Sequence, residues 1–149
     1  MNIESIGIVR SPVKEPIDEK WGQVVAEIEL NEAVAAGLTG IDQFSHVIVI
    51  FFMHRYTFDP AMDLIRRPQE RADMPAVGIF AQRAKHRPNP IGITTVELIQ
   101  VQGNILTVRG LDAIDGTPVL DIKPYVPAFD TRLNAIVPEW IKKLMEKYF

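Results

Sequence analysis

The chain contains no cysteine, which excludes a disulfide framework, a thiolate metal site and a cysteine nucleophile, and suits a reducing compartment such as the cytoplasm. No Gly-x-Gly occurs either, so the dinucleotide fingerprint and the Gly-rich phosphate loop are both missing. Long apolar runs are lacking: the longest, Val47–Met53, is far too short to span a bilayer. Met1–Arg10 has neither the basic start nor the apolar stretch of a signal peptide, so no leader and no membrane partner are expected. Histidine is scarce, with three in the chain. His46 and His54 share a strand face but stand ~26 Å apart at strand rise, too far for one metal. With no EF-hand and no His-Glu-x-x-His, no metal is expected. Ser5, Ser11 and Ser45 sit in no nucleophile elbow. Excess positive charge is absent too: net charge is −3, so any nucleic-acid contact must be local.

What remains is the composition of a globular protein, 47% hydrophobic and 23% charged over 149 residues, enough for a single domain, 1–149, around one core. Period-two patterns dominate and predict a mainly β protein: a small antiparallel β-barrel with short peripheral helices and a C-terminal helix. Strands are expected at Ile3–Arg10, at Gln23–Leu30 with Val24, Ala26, Ile28 and Leu30 inward, and at His46–Tyr56, central and covered on both faces. Asn31 is a candidate cap for a short helix stopping at Gly37. Val77–Ala81, Thr94–Val101, Ile105–Arg109 and Thr117–Ile122 complete the strands, with turns at Gly103–Asn104 and Asp115–Gly116. Pro138 suits a first helical position, ahead of an apolar stripe of Trp140, Ile141, Leu144, Met145 and Tyr148.

Two segments carry the chemistry. Arg83–Gly92, reading RAKHRPNPIG, is a loop stiffened by Pro88 and Pro90. Arg83, Lys85, His86 and Arg87 crowd there without an acid, which favours an anionic ligand. Gly110–Pro127 gathers Asp112, Asp115, Asp121 and Lys123; Asp121, Lys123 and Tyr125 alternate onto one strand face. The plain alternative makes Asp115 a turn former and Asp121 a partner for Lys123. A metal-dependent hydrolase using Asp112, Asp115 and Asp121 lacks any ligand spacing to support it. Thr57–Pro75 reads as a long excursion, expected to be a mobile flap, and its Arg66, Arg67 and Arg71 form either a solvated face or phosphate contacts. His46 is expected in the core, whereas His54, followed by Arg55, is placed to face a site.

The blocks IGIVRSPVK (Ile6–Lys14), GIDQFSHVIVIFFMHR (Gly40–Arg55), GIFAQRAKHRPNPIG (Gly78–Gly92) and LDAIDGTPVLDIKPYVP (Leu111–Pro127) together resemble the TsaA/TrmO family of S-adenosylmethionine-dependent tRNA methyltransferases. The resemblance implies a homodimeric β-barrel that binds S-adenosylmethionine near the subunit interface. It also implies methylation of N6 of N6-threonylcarbamoyladenosine beside the tRNA anticodon. By matching motifs, the implied cofactor contacts are Pro12, Val13, Lys14, His54, Arg55, Arg83, Ile93, Leu111, Asp112, Ala113 and Ile114. Arg83 or Lys14 would meet the cofactor carboxylate, and backbone around Leu111–Ile114 the purine. Lys85, His86 and Arg87 would then be free for RNA phosphate. Asn89 is the first candidate to orient the amine, with Asp121 or Tyr125 as alternatives for proton removal. Longer relatives carry an extra C-terminal domain that has no counterpart in these motifs, and Ala84, Lys85 and His86 replace the Ser-Pro start common in the family. A module that binds S-adenosylmethionine and acts through a partner, without methyl transfer, is the competing reading.

Overall fold

The computed structural model describes Met1–Phe149. Alternating residues produce the strands β1 (Gly7–Arg10), β2 (Val25–Leu30), β3 (His46–Phe52), β4 (Ile65–Arg66), β5 (Val77–Gly78), β6 (Ile91–Gln102), β7 (Ile105–Arg109) and β8 (Pro118–Pro124). Six of them close an antiparallel barrel in the order β1-β2-β7-β6-β3-β8, while β4 and β5 pair by themselves outside it. The short helices are α1 (Pro60–Asp63), α2 (Pro127–Asp130) and α3 (Glu139–Met145), with 3-10 turns between strands. The barrel and helices thus match the expected fold class.

Inward-facing positions alternate with outward ones along each strand, and the interior is filled by Val9, Ala26, Ile28, Val47, Val49, Phe51, Val96, Leu106, Val108 and Val119. Burying each larger side chain contributes about 1.5–3 kcal/mol. Gly92 on β6 faces this interior, where an added Cβ would lie 2.3 Å from the Phe51 ring, itself locked in the core. That contact explains the glycine closing the proline-rich loop.

Several expectations need correction. The central strand stops at Phe52 because its neighbour β6 begins after Pro90, which has no amide to extend the ladder; the Met53 amide donates to the Pro90 carbonyl at 2.7 Å instead. Its outer face is not covered: Ile48 and Ile50 are half-buried and Phe52 exposed. β1 begins at Gly7, since Ser5 turns its hydroxyl onto the Gly7 and Val119 carbonyls. Asn31 caps nothing with its side chain, which donates to the Ser5 carbonyl. Val77–Gly78 pairs with β4 and then tightens into a 3-10 turn, so the loop Arg83–Gly92 does not join two barrel strands. Pro138 sits one position earlier than expected, as the residue before α3.

The excursion between β3 and β6 is pinned down. Buried Asp63 accepts from the Asp59 amide and from Arg66, each at 2.8 Å, and Arg66 also pairs with Glu70. Arg67 donates to the Met74 carbonyl, and Arg71 makes a two-pronged pair with Asp73. Lys143 of α3 reaches the same Asp73 at 2.8 Å. These arginines organise their own segment through internal hydrogen bonds and ion pairs.

Candidate functional site

Antiparallel closure places the ends of β1, β3 and β7 and the starts of β6 and β8 at one rim. Pairing fixes this arrangement: Phe52 opposes Ile91, Phe51 opposes Val119, and Ile8 opposes Pro118. Every cofactor residue implied by the family motifs lies on this rim or on the loops leaving it. The first loop is clasped by the last turn. Asp115 accepts from the Ser11 amide at 2.9 Å and pairs with Lys14 at 2.8 Å, while its own amide donates to the Val13 carbonyl at 2.8 Å. Lys14, then the Ser11 amide, holds the Asp115 carboxyl below its ordinary range. Asp115 is thus a turn residue, and Lys14 is committed to it. Gly116 follows at φ 78°, a left-handed turn position that glycine adopts freely.

The proline-rich loop is braced from within. Arg87 donates to the carbonyls of Ile79 at 3.1 Å and Gln82 at 2.6 Å. The His86 ring nitrogen lies 2.9 Å from the Thr57 carbonyl, and the ring packs edge-on against Tyr56. Lys85 sits 3.7 Å from Asp18 and 5.1 Å over the Tyr56 ring. The expectation that Lys85, His86 and Arg87 stand free for RNA is therefore corrected: carbonyls, an aromatic ring and one acid already engage them. Arg83 differs from these three. It donates to the Ile93 carbonyl but pairs with no carboxylate, so its charge is available to a ligand. Asn89 is exposed, and its side chain makes no hydrogen bond, while its carbonyl accepts from Ile91 at 2.7 Å. His54 and Arg55 are also exposed, Arg55 pairing with Glu15 at 2.9 Å.

In Leu111–Ile114 the side chains of Leu111, Ala113 and Ile114 are buried, leaving backbone and the Asp112 carboxylate to face the rim. Thr94 of β6 donates to one Asp112 oxygen and Tyr148 to the other, the latter at 2.5 Å. Burial, then the Asp112 charge, pushes the Tyr148 hydroxyl above its ordinary range. Thr94 and Tyr148 escaped the sequence reading because one occupies an ordinary strand position and the other an apolar helix stripe. The only available hint was the polar tip of a tyrosine in such a stripe.

Asp121 opposes Ile50 of β3, which in turn opposes Ile93, whereas Tyr125 lies elsewhere. Asp121 pairs with Lys123 at 2.7 Å, and the Tyr125 amide donates to the His46 carbonyl at the opposite rim, ~20 Å along β3 from Phe52. Within one chain Tyr125 does not join Asn89. His46 is exposed rather than in the core; its ring contacts the Ser45 hydroxyl at 2.8 Å and packs edge-on against Tyr125. Asp112, Asp115 and Asp121 have separate partners, and no group of three potential metal ligands comes together. A groove of about 740 Å³ runs between Pro16–Lys20 and α3, and none of the implied cofactor contacts lines it.

Residues 9–131 match the tRNA-methyltransferase O N-terminal domain. A probable S-adenosyl-L-methionine-binding protein of Pyrococcus abyssi is 43% identical over 95% of this chain and 77% of its own length. The human tRNA (adenine(37)-N6)-methyltransferase is 40% identical over 68% of this chain, which spans only 22% of that enzyme. The crystal structure of TrmO from Pseudomonas aeruginosa superposes with a TM-score of 0.76 at 31% identity, covering 94% of this chain and 61% of the other. The S-adenosyl-L-methionine of the first name recurs in the names of related archaeal proteins. By its motifs, its barrel and these likenesses, the chain belongs to the tRNA-methyltransferase O N-terminal domain family.

Proposed function

We propose that this protein is an S-adenosylmethionine-dependent methyltransferase that acts as a cytoplasmic homodimer on N6 of N6-threonylcarbamoyladenosine beside the tRNA anticodon. The observation that carries the reading is Arg83, a cation without an acidic partner, beside a fixed Asp112 where the RPNPIG and LDAIDGTP segments meet. The residues fit the cofactor's chemistry: Arg83 for its carboxylate, Asp112 for a hydrogen-bond donor, and backbone of Leu111–Ile114 for the purine edge. When bound, the cofactor supplies an electrophilic methyl group. The human relative's name supports an adenine amine of tRNA as acceptor.

The adenine amine is a poor nucleophile because its lone pair is delocalised into the ring. A residue that accepts from that amine orients it and favours the charge that develops on nitrogen. Asn89 suits this role, since its side chain is exposed, uncommitted and carried by a backbone fixed between two prolines. Asn89→Ala is expected to lower methyl transfer to modified tRNA at least tenfold, a loss typical of an orienting contact, while cofactor affinity by calorimetry stays nearly constant. Equal losses in both would sink the orienting role.

A second reading is a binding module that acts through a partner. Two observations favour it: the net charge of −3, and the internal engagement of Lys85, His86 and Arg87. Labelled cofactor with modified and unmodified tRNA separates the readings. Label in modified tRNA supports the methyltransferase; cofactor retained with no labelled RNA supports the module.

A further inference from the structure

The segment Lys147–Phe149 is built into the rim. The carbonyls of Lys147 and Tyr148 accept from the amides of Lys20 and Trp21, both at 2.8 Å. Gly22 leaves room for it, since a Cβ there would lie 2.7 Å from the carbonyl carbon of Phe149. Tyr148 is half-buried, and its hydroxyl donates to Asp112 Oδ2 while Thr94 donates to Oδ1. Anchored through both oxygens, the carboxylate cannot rotate, and its remaining lone pairs only accept. Because burial and the Asp112 charge raise the Tyr148 hydroxyl above its ordinary range, it remains a donor at working pH.

Arg83 shares this patch. It donates to the carbonyl of Ile93, the residue before Thr94, and its charge acts on the same Tyr148 hydroxyl. Yet Arg83 and Asp112 do not form an ion pair. Two opposite charges, each anchored to a barrel element and each with unused hydrogen-bonding capacity, match a group that carries ammonium and carboxylate on one carbon.

We infer that Tyr148, outside the residues matched to the family, is a positioning residue that fixes Asp112 beside Arg83 to receive the α-amino-acid end of S-adenosylmethionine. Asp112 takes the ammonium and Arg83 the carboxylate. The inference rests on the cofactor reading above and narrows it to one end of the ligand.

The test is calorimetric, using S-adenosylmethionine and 5′-methylthioadenosine, which lacks the amino-acid end. Tyr148→Phe keeps the ring and removes only the hydroxyl. It is expected to weaken S-adenosylmethionine about tenfold and methylthioadenosine by less than about twofold, as befits one hydrogen bond to a charged group. Asp112→Asn should weaken S-adenosylmethionine at least as much, and adding Tyr148→Phe to it should cost nothing further. A purely structural tyrosine would instead weaken both ligands alike, or weaken them also in the Asp112→Asn background. Either result, or unchanged S-adenosylmethionine affinity in Tyr148→Phe, overturns the inference. Wild-type protein that binds both ligands equally overturns it alone, whereas wild-type protein that binds neither overturns the cofactor reading with it.

Discussion

Arg87 shows how one residue's chemistry is decided by its neighbours. Its Nη1 donates to the carbonyls of both Ile79 and Gln82, from a nitrogen held in the guanidinium plane, a placement that a lysine ammonium on its flexible stem does not fix. Arg87→Lys should therefore destabilise the protein by about 1–2 kcal/mol in urea unfolding, the cost of losing hydrogen bonds to a charged donor. The same variant should leave the salt dependence of tRNA binding unchanged, whereas loss of a phosphate contact would lower the slope by about 1. A lowered slope would restore Arg87 as an RNA contact. The sequence revealed that charge is concentrated in Arg83–Gly92, because composition and proline stiffening are local properties. It did not reveal which cation stays free, because the carbonyls of Ile79, Gln82 and Thr57 and the acid Asp18 reach the loop only through the fold. Arg83 was singled out by the family motif as a cofactor contact; in the structure it donates to the Ile93 carbonyl and pairs with no acid.

At the scale of elements, the rim works because two loops far apart in the chain are fastened to each other. Ser11–Lys14 leaves β1, and Leu111–Gly116 leaves β7, yet Asp115 joins them through the Ser11 amide and Lys14. The carboxyl is held below its ordinary value of 3.8, so this clasp is fully formed above 3.8 and is lost as pH falls through the lower folded value. The Ser11 amide resonance should titrate with a midpoint below 3.8, and Lys14→Met should move that midpoint upward. A midpoint at 3.8 in both proteins would show that the clasp is not ionic. Such coupling explains what was legible beforehand. The strands could be read from alternation and the turns from Asn-Gly-type chemistry, since both are encoded within a few residues. The pairing of β4 with β5 and the arrival of Tyr148 at Asp112 depend on closure of the barrel, which no local pattern records.

For the whole molecule, the surface is apolar in two places. After β8 the chain extends through α2 with Phe129 74%, Leu133 94% and Ile136 96% exposed, and near the cofactor rim Phe80 is 78% and Ile93 49% exposed. Side chains of this size gain about 1.5–3 kcal/mol each on full burial, and such exposure marks an interaction surface. In the proposed homodimer the segment after β8 of each copy would cover the face around the rim of the other, an isologous contact. The arrangement also bears on Tyr125, which one chain keeps away from Asn89. Tyr125 lies just ahead of this segment, so docking would carry it toward the partner copy's rim. Leu133→Lys combined with Ile136→Lys places two charges on the exposed segment without touching the barrel core. Sedimentation should then shift from dimer to monomer while the melting transition of the barrel persists. Cofactor affinity should fall in parallel if the rim is completed by the second copy. A wild-type protein that sediments only as monomer at working concentration would remove the dimer, and Tyr125 would lose its one route to the reaction.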